Sequence, residues 1–132
     1  MNSDKHKNVL IADDSVTVRQ VLKRYLSTRG DVVVCGEAVN GREAVQRAMA
    51  LKPDLVLLDL AMPELNGAEV ASVLKGAIPK TRIILFTMYS ENIGKYLTSA
   101  IGIEAVLSKP DGVTELAAAI DSALDQIPDS TC

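Results

Sequence analysis

Three aspartates are the residues of this chain best placed to do chemistry. Asp13 and Asp14 follow the apolar run Val9-Leu10-Ile11-Ala12, and Asp59 follows Leu55-Val56-Leu57-Leu58. Thr87 and Met88 follow Ile83-Ile84-Leu85-Phe86, and Ser108, Lys109 and Pro110 follow Ile103-Glu104-Ala105-Val106-Leu107. Carboxylates gathered in one place repel one another unless a cation compensates. An all-oxygen set suits a hard divalent ion, and Mg²⁺, which keeps several waters and phosphate oxygens, is the best match. Lys109 and the Thr87 hydroxyl are then suited to the oxygens of a tetrahedral anion. A carboxylate activated by Mg²⁺ can attack a phosphoryl donor and form an acyl phosphate. Singly, each residue has a plainer role: Asp14 or Ser15 as the cap of a first helix, Thr87 as a β-branched strand end, Lys109 as a solvated lysine. Their common position after apolar runs is what favours a site.

The elements that must bring them together are legible in the hydrophobic pattern. The four runs above and Val32-Val33-Val34-Cys35 are short, apolar and rich in β-branched residues, as strands covered on both faces are. Ile103-Glu104-Ala105-Val106-Leu107 is the most polar of the five and reads as an edge strand. Val18, Val21, Leu22 and Tyr25 recur at helical spacing, as do Val113, Leu116, Ala117, Ile120 and Leu124. Asn40 with Glu43, and Asn66 with Glu69, have capping-box spacing. Ser90 to Ile101 is a weaker helix, interrupted by Gly94. Gly30, Gly76 and Gly102 fall near expected helix ends, where a left-handed residue is cheapest. Strands alternating with helices predict an α/β fold: a five-stranded parallel sheet, doubly wound as (βα)5. In such sheets ligands bind beyond the carboxyl ends of the strands, which is the rim carrying the acids, Thr87 and Lys109.

Composition narrows the function classes. At 132 residues the chain suits one domain, expected at 8–127, with a polar leader at 1–7 and a tail or linker start at 128–132. The formal charge is −3, and a weakly acidic chain lacks the basic stripe of a nucleic-acid binder. Its apolar runs are far shorter than the ~20 residues that span a bilayer, so no membrane contact is expected. The N-terminus, Met1 to Asn8, has no targeting pattern. Two cysteines, Cys35 and Cys132, suggest neither a disulfide framework nor a metal cluster, and a reduced cytoplasmic protein is expected. The single histidine, His6, lies in the polar leader, which disfavours histidine-based triads.

The pieces Val9-Leu10-Ile11-Ala12-Asp13-Asp14, Pro53-Asp54-Leu55-Val56-Leu57-Leu58-Asp59, Met62-Pro63, Asn66-Gly67, Thr87 and Lys109-Pro110 together resemble the response-regulator receiver domains of two-component signalling. The match covers about residues 8 to 127. The resemblance implies the flavodoxin-like strand order 2-1-3-4-5. It implies that Asp59 is the phosphoacceptor and that Asp14, Asp59 and the backbone carbonyl of Ala61 ligate Mg²⁺, with Asp13 acting through water. Lys109 would pair with the phosphoryl group. Thr87 would hydrogen-bond a phosphoryl oxygen, drawing the loop after the fourth strand inward and shifting the surface of the fourth helix, fifth strand and fifth helix. Two positions depart from the family pattern. Val106 stands where Tyr, Phe or His is usual, and a valine cannot make the inward ring movement. Met88 stands where Ala or Gly is common, and with Tyr89 it is expected to screen the attacking water and slow phosphate loss.

The resemblance implies a signalling switch, not an enzyme with an external substrate, that takes phosphate from a histidine kinase or phosphotransfer protein. The alternative is a receiver-like protein-binding module that is never phosphorylated. A phosphohydrolase of the aspartyl-phosphate type is disfavoured because position 61, where such enzymes carry an acid, is Ala. A flavin carrier is disfavoured because the first loop carries an Asp pair in place of a phosphate cradle. Gly36-Glu37-Ala38-Val39-Asn40-Gly41-Arg42-Glu43-Ala44 further resembles receivers that carry a C-terminal helix-turn-helix domain. Output is thus expected through a downstream effector protein or a missing C-terminal effector domain. Before phosphorylation a monomer or weak dimer is expected, with a homodimer a possible consequence of phosphorylation.

Overall fold

The computed structural model of the chain describes residues 6–59, 62, 67–87, 105–108 and 113–127, with backbone alone at 87, 105–108 and 113–116. The apolar runs form strands β1 (Lys7–Ala12), β2 (Val32–Ala38), β3 (Leu55–Asp59), β4 (Arg82–Thr87) and β5 (Ala105–Ser108). Between them lie helices α1 (Val16–Leu26), α2 (Gly41–Leu51) and α3 (Gly67–Ala77), and a C-terminal helix spans Val113–Asp125. The expected helix at Ser90–Ile101, with Gly102, lies outside the described residues, as do Asn66, Ala61, Met88 and Lys109.

All strand pairings are parallel. β1 lies between β2 and β3, β4 follows β3, and β5 runs along the far side of β4. The period-two alternation of a strand sorts its side chains onto opposite faces. Leu10, Ala12, Val56, Leu58, Ile83 and Leu85 pack against Ala44 and Ala48 of α2 and Val70, Ala71 and Leu74 of α3. Val9, Ile11, Leu55, Leu57, Ile84 and Phe86 pack on the other face against Leu22 and Leu26 of α1 and Ile120, Ala123 and Leu124 of the C-terminal helix. Both faces of the sheet are therefore covered, which is why β3 is buried at every position. Apart from Phe86 and Met62, the buried core among the described residues is aliphatic, and each buried Leu or Ile stabilises the fold by roughly 1.5–3 kcal/mol.

Two strands run further than their apolar cores. β1 begins at Lys7, whose N–H donates to the Asp31 carbonyl. β2 continues past Cys35 through Gly36 and Glu37 to Ala38, after a bulge that shifts its partner on β1 between Val9 and Leu10. Gly36 lies close to the ends of two leucine side chains. A Cβ would meet Leu51 Cδ1 of α2 at 3.0 Å and Leu10 Cδ1 at 3.4 Å. Val21, expected on the apolar face of α1, is instead 42% exposed, and Leu26 takes its place in the core.

Helix starts follow cap chemistry. Ser15, not Asp14, caps α1, its hydroxyl accepting the Val18 N–H at 3.2 Å. Asn40 caps α2 by accepting the Glu43 N–H at 2.7 Å, and Glu43 reaches back to the Val39 N–H at 2.8 Å, one residue before the cap. The glycine expectation at helix ends is corrected. Neither Gly30 nor Gly76 has a left-handed φ, and the left-handed residue is Lys52, with φ 49°, at the end of α2. Gly76 lies within α3. The end of α1 tightens instead, Thr28 and Arg29 N–H groups donating to the Tyr25 and Leu26 carbonyls three residues back.

Candidate functional site

The strand register brings the acids to one level. Ala12 is paired with Leu58 of β3 and with Ala38 of β2, so Asp13 and Asp59 each follow one of two neighbouring, aligned residues. One oxygen from each of Asp13, Asp14 and Asp59 lies within 4.8 Å of the others. Asp13 is fully buried and Asp59 is 3% exposed, whereas Asp14 is exposed. The sequence expectation that these three meet is met by the fold.

Asp13 is held on several sides. Its N–H donates to the Ala38 carbonyl at 3.0 Å, continuing the β1–β2 pairing by one step. Its Oδ1 accepts the Ser15 N–H at 2.8 Å, and its carbonyl accepts Arg19 Nη1 at 2.7 Å. Asp59 faces Phe86 across β3 and β4, and Thr87 is the next residue along β4. Thr87 in turn faces Ser108 of β5, the residue before Lys109. The backbone thus carries Thr87 to the rim beside Asp59. Lys109 and Ala61 fall outside the described residues.

The sequence did not single out the cations beside this loop. Arg19 Nε donates to Glu37 Oε1 at 2.8 Å, and Lys23 Nζ lies 2.8 Å from Glu37 Oε2. Hydrogen bonding from Lys23 first, and then from Arg19, holds the Glu37 carboxyl below the usual range against the opposing effect of burial. The available signal was helical spacing: Arg19 and Lys23 are four apart on α1, facing the strand whose residue Glu37 is level with Ile11.

The donor set fits a small hard cation. All three donors are carboxylate oxygens, the kind Mg²⁺ takes together with waters, and none lies more than 4.8 Å from another. Burial of two of the three carboxylates makes their mutual repulsion costly without a counter-charge.

The sequence model described as the response regulator receiver domain matches residues 9–121. The chain belongs to the response-regulator receiver domain family. Among curated relatives, this receiver is 35% identical over 112 residues to response regulator protein VraR of Staphylococcus saprophyticus, covering 85% of the chain and 54% of that protein. The chain therefore spans about half the length of the relative. The receiver also superposes on the signal receiver domain of NarL from Mycobacterium tuberculosis, with TM-score 0.81 and 32% identity, over 92% of this chain and 99% of that one. A chain of the CheX–CheY–BeF3–Mg²⁺ complex from Borrelia burgdorferi matches with TM-score 0.81 and 25% identity, over 89% of each chain. The receiver fold and the regulator kinship are thus shared with signalling proteins. Among the described residues, no helix is long and apolar enough to cross a membrane.

Proposed function

We propose that this receiver accepts a phosphoryl group on Asp59 from the phosphohistidine of a histidine kinase or phosphotransfer protein, and that the modified domain presents a changed surface to an effector. The observation that carries this is the approach of Asp13, Asp14 and Asp59 within 4.8 Å, with Asp59 buried at the end of the central strand. The Borrelia complex contains both Mg²⁺ and BeF3, a tetrahedral group that stands in for phosphoryl.

In the reaction an Asp59 oxygen forms a bond to phosphorus as the donor's phosphorus–nitrogen bond breaks. The imidazole leaves with the electron pair and keeps a proton from solvent. Asp14, Asp59 and the Ala61 carbonyl would hold Mg²⁺, with Asp13 acting through water. The ion, when bound, neutralises the charge of the phosphoryl oxygens and lets the carboxylate approach them. Lys109 pairs with one phosphoryl oxygen, and the Thr87 hydroxyl donates to another. Because Thr87 ends β4 beside β5, its movement toward Asp59 reaches the two strands next to the C-terminal helix. Val106 stands in β5, level with Leu85, so the output movement has no aromatic ring to carry there. Output passes to a separate effector protein or to a C-terminal domain such as the relatives' extra length can hold.

The test is direct. The protein is incubated with MgCl2 and acetyl phosphate and its intact mass measured. One added phosphoryl group, labile to hydroxylamine and lost in Asp59→Asn, supports the reading. An unchanged mass with acetyl phosphate and with a phosphohistidine donor overturns it and leaves the unphosphorylated binding module.

A further inference from the structure

Asp14 is exposed, and side-chain packing does not hold it. Where its backbone N and Cα lie depends on the peptide plane that precedes it. That plane contains the Asp13 carbonyl, and a trans peptide is rigid, so fixing the carbonyl fixes the direction in which the chain enters Asp14. Arg19 Nη1 holds that carbonyl at 2.7 Å.

Arg19 is placed for this by the helix. It follows the Ser15 cap by one turn, its N–H donating to the Ser15 carbonyl at 3.1 Å. Helical side chains lean toward the N-terminus, so the guanidinium reaches back to the loop before the helix. Its Nε is anchored at 2.8 Å on Glu37, which is level with Ile11 and adjoins Ala38, the residue whose carbonyl accepts the Asp13 N–H. Only a planar fork serves two acceptors in fixed directions in this way; a lysine is a point donor. The Arg19 side chain is 13% exposed, so water competes weakly for these contacts.

From these contacts we infer that Arg19 is a positioning residue for the metal site, with Glu37 as its anchor. Together they orient the Asp13–Asp14 peptide so that the Asp14 carboxylate meets the cation held by Asp59. This rests on the phosphoacceptor reading and deepens it. Partners of this outer kind are typically worth about 10–100-fold in metal affinity.

The experiment is calorimetric titration of the intact chain with MgCl2, for the unaltered protein and for Arg19→Ala, Arg19→Lys, Glu37→Gln and the Arg19→Ala/Glu37→Gln double variant. Folding of each is checked by circular dichroism in metal-free buffer. Arg19→Ala is expected to weaken Mg²⁺ binding about 10-fold or more, and Arg19→Lys to recover part of that loss. The double variant is expected to bind no more weakly than Arg19→Ala, because the two residues act as one unit. Acetyl phosphate labelling of Arg19→Ala should be slow at low Mg²⁺ and recover at saturating Mg²⁺, which a general loss of structure would not do. A folded Arg19→Ala protein that binds Mg²⁺ as tightly as the unaltered chain overturns the inference. If Arg19→Ala does not fold, unaltered Mg²⁺ affinity in Arg19→Lys overturns it equally. Absence of Mg²⁺ binding by the unaltered protein overturns the phosphoacceptor reading itself, and this inference with it.

Discussion

Arg29 Nη1 lies 2.9 Å from Asp121 Oδ1, joining residues 92 apart in sequence. The same guanidinium meets Asp31 through two contacts of 3.0 Å and Asp125 at 3.1 Å, so one side chain ties the turn after α1 to the C-terminal helix. Tyr25 Oη adds a 2.8 Å hydrogen bond to Asp121. Partly exposed ion pairs contribute about 0.2–1 kcal/mol each, so Arg29→Met is expected to lower stability by about 1–2 kcal/mol. Urea unfolding should show the loss, and the gap should narrow at high salt because screening weakens the pairs in the unaltered chain.

Asp31 makes the network sensitive to acid. Hydrogen bonding from Arg29 lowers its pKa from 3.8 to about 2, against the opposing effect of burial. The folded value is the lower one, so folding gains stability from this carboxylate at pH above its unfolded pKa. That gain is lost as pH falls through the interval from 3.8 to about 2. Urea midpoints should therefore fall less steeply across that interval in Arg29→Met than in the unaltered chain. Parallel slopes would remove Arg29 as the cause.

Binding of a cation to the folded state alone raises its stability by mass action, by about 2.7 kcal/mol at a concentration 100 times Kd. Mg²⁺ is accordingly expected to raise the urea midpoint of this chain. Asp14→Asn removes one of three mutually repelling carboxylates, so its metal-free protein should be more stable than the unaltered one while its response to Mg²⁺ shrinks. A full Mg²⁺ response in Asp14→Asn would take that residue out of the ligand set.

In the proposed phosphoryl transfer Lys109 would pair with the anion and not with the metal. Lys109→Ala is therefore expected to impair signalling to the partner and effector more than it impairs Mg²⁺ affinity by calorimetry. Equal loss of both would reverse the assignment.

Lys52 holds φ at 49° and ψ at 60°, where a Cβ crowds the following carbonyl. Lys52→Gly relieves that crowding and gives back part of the gain as chain entropy, for a net stabilisation of about 0.5–1 kcal/mol. Lys52→Val, β-branched in the same conformation, should lose about 1 kcal/mol or more. Both are read from urea midpoints.

Much of this architecture is legible in the sequence. Val9–Ala12, Leu55–Leu58 and Ile83–Phe86 are continuous apolar runs because they are covered on both faces, and continuity survives in the sequence. The far end of β2 was less legible: Gly36 and Glu37 lack an apolar signal, and a half-exposed strand beside a bulge needs none. Val21 fits the helical period as well as Leu22 does, yet only the neighbouring strands determine which residues of α1 face the core. The glycines misled because a left-handed turn is one of several ways to end a helix, and α1 ends by three-residue hydrogen bonds.

The sequence by itself determined the class of fold and three acidic residues of a kind that suits a hard cation, because these depend on residue type and on spacing along the chain. Tertiary structure alone decided that Asp13 is buried while Asp14 is exposed, and that Ser15 serves as the helix cap. It also decided that Arg19 joins the Asp13 carbonyl to Glu37. The physical reason is that a hydrogen bond depends on distance and direction, and these exist only once strand register and helix packing have placed residues from separate elements side by side.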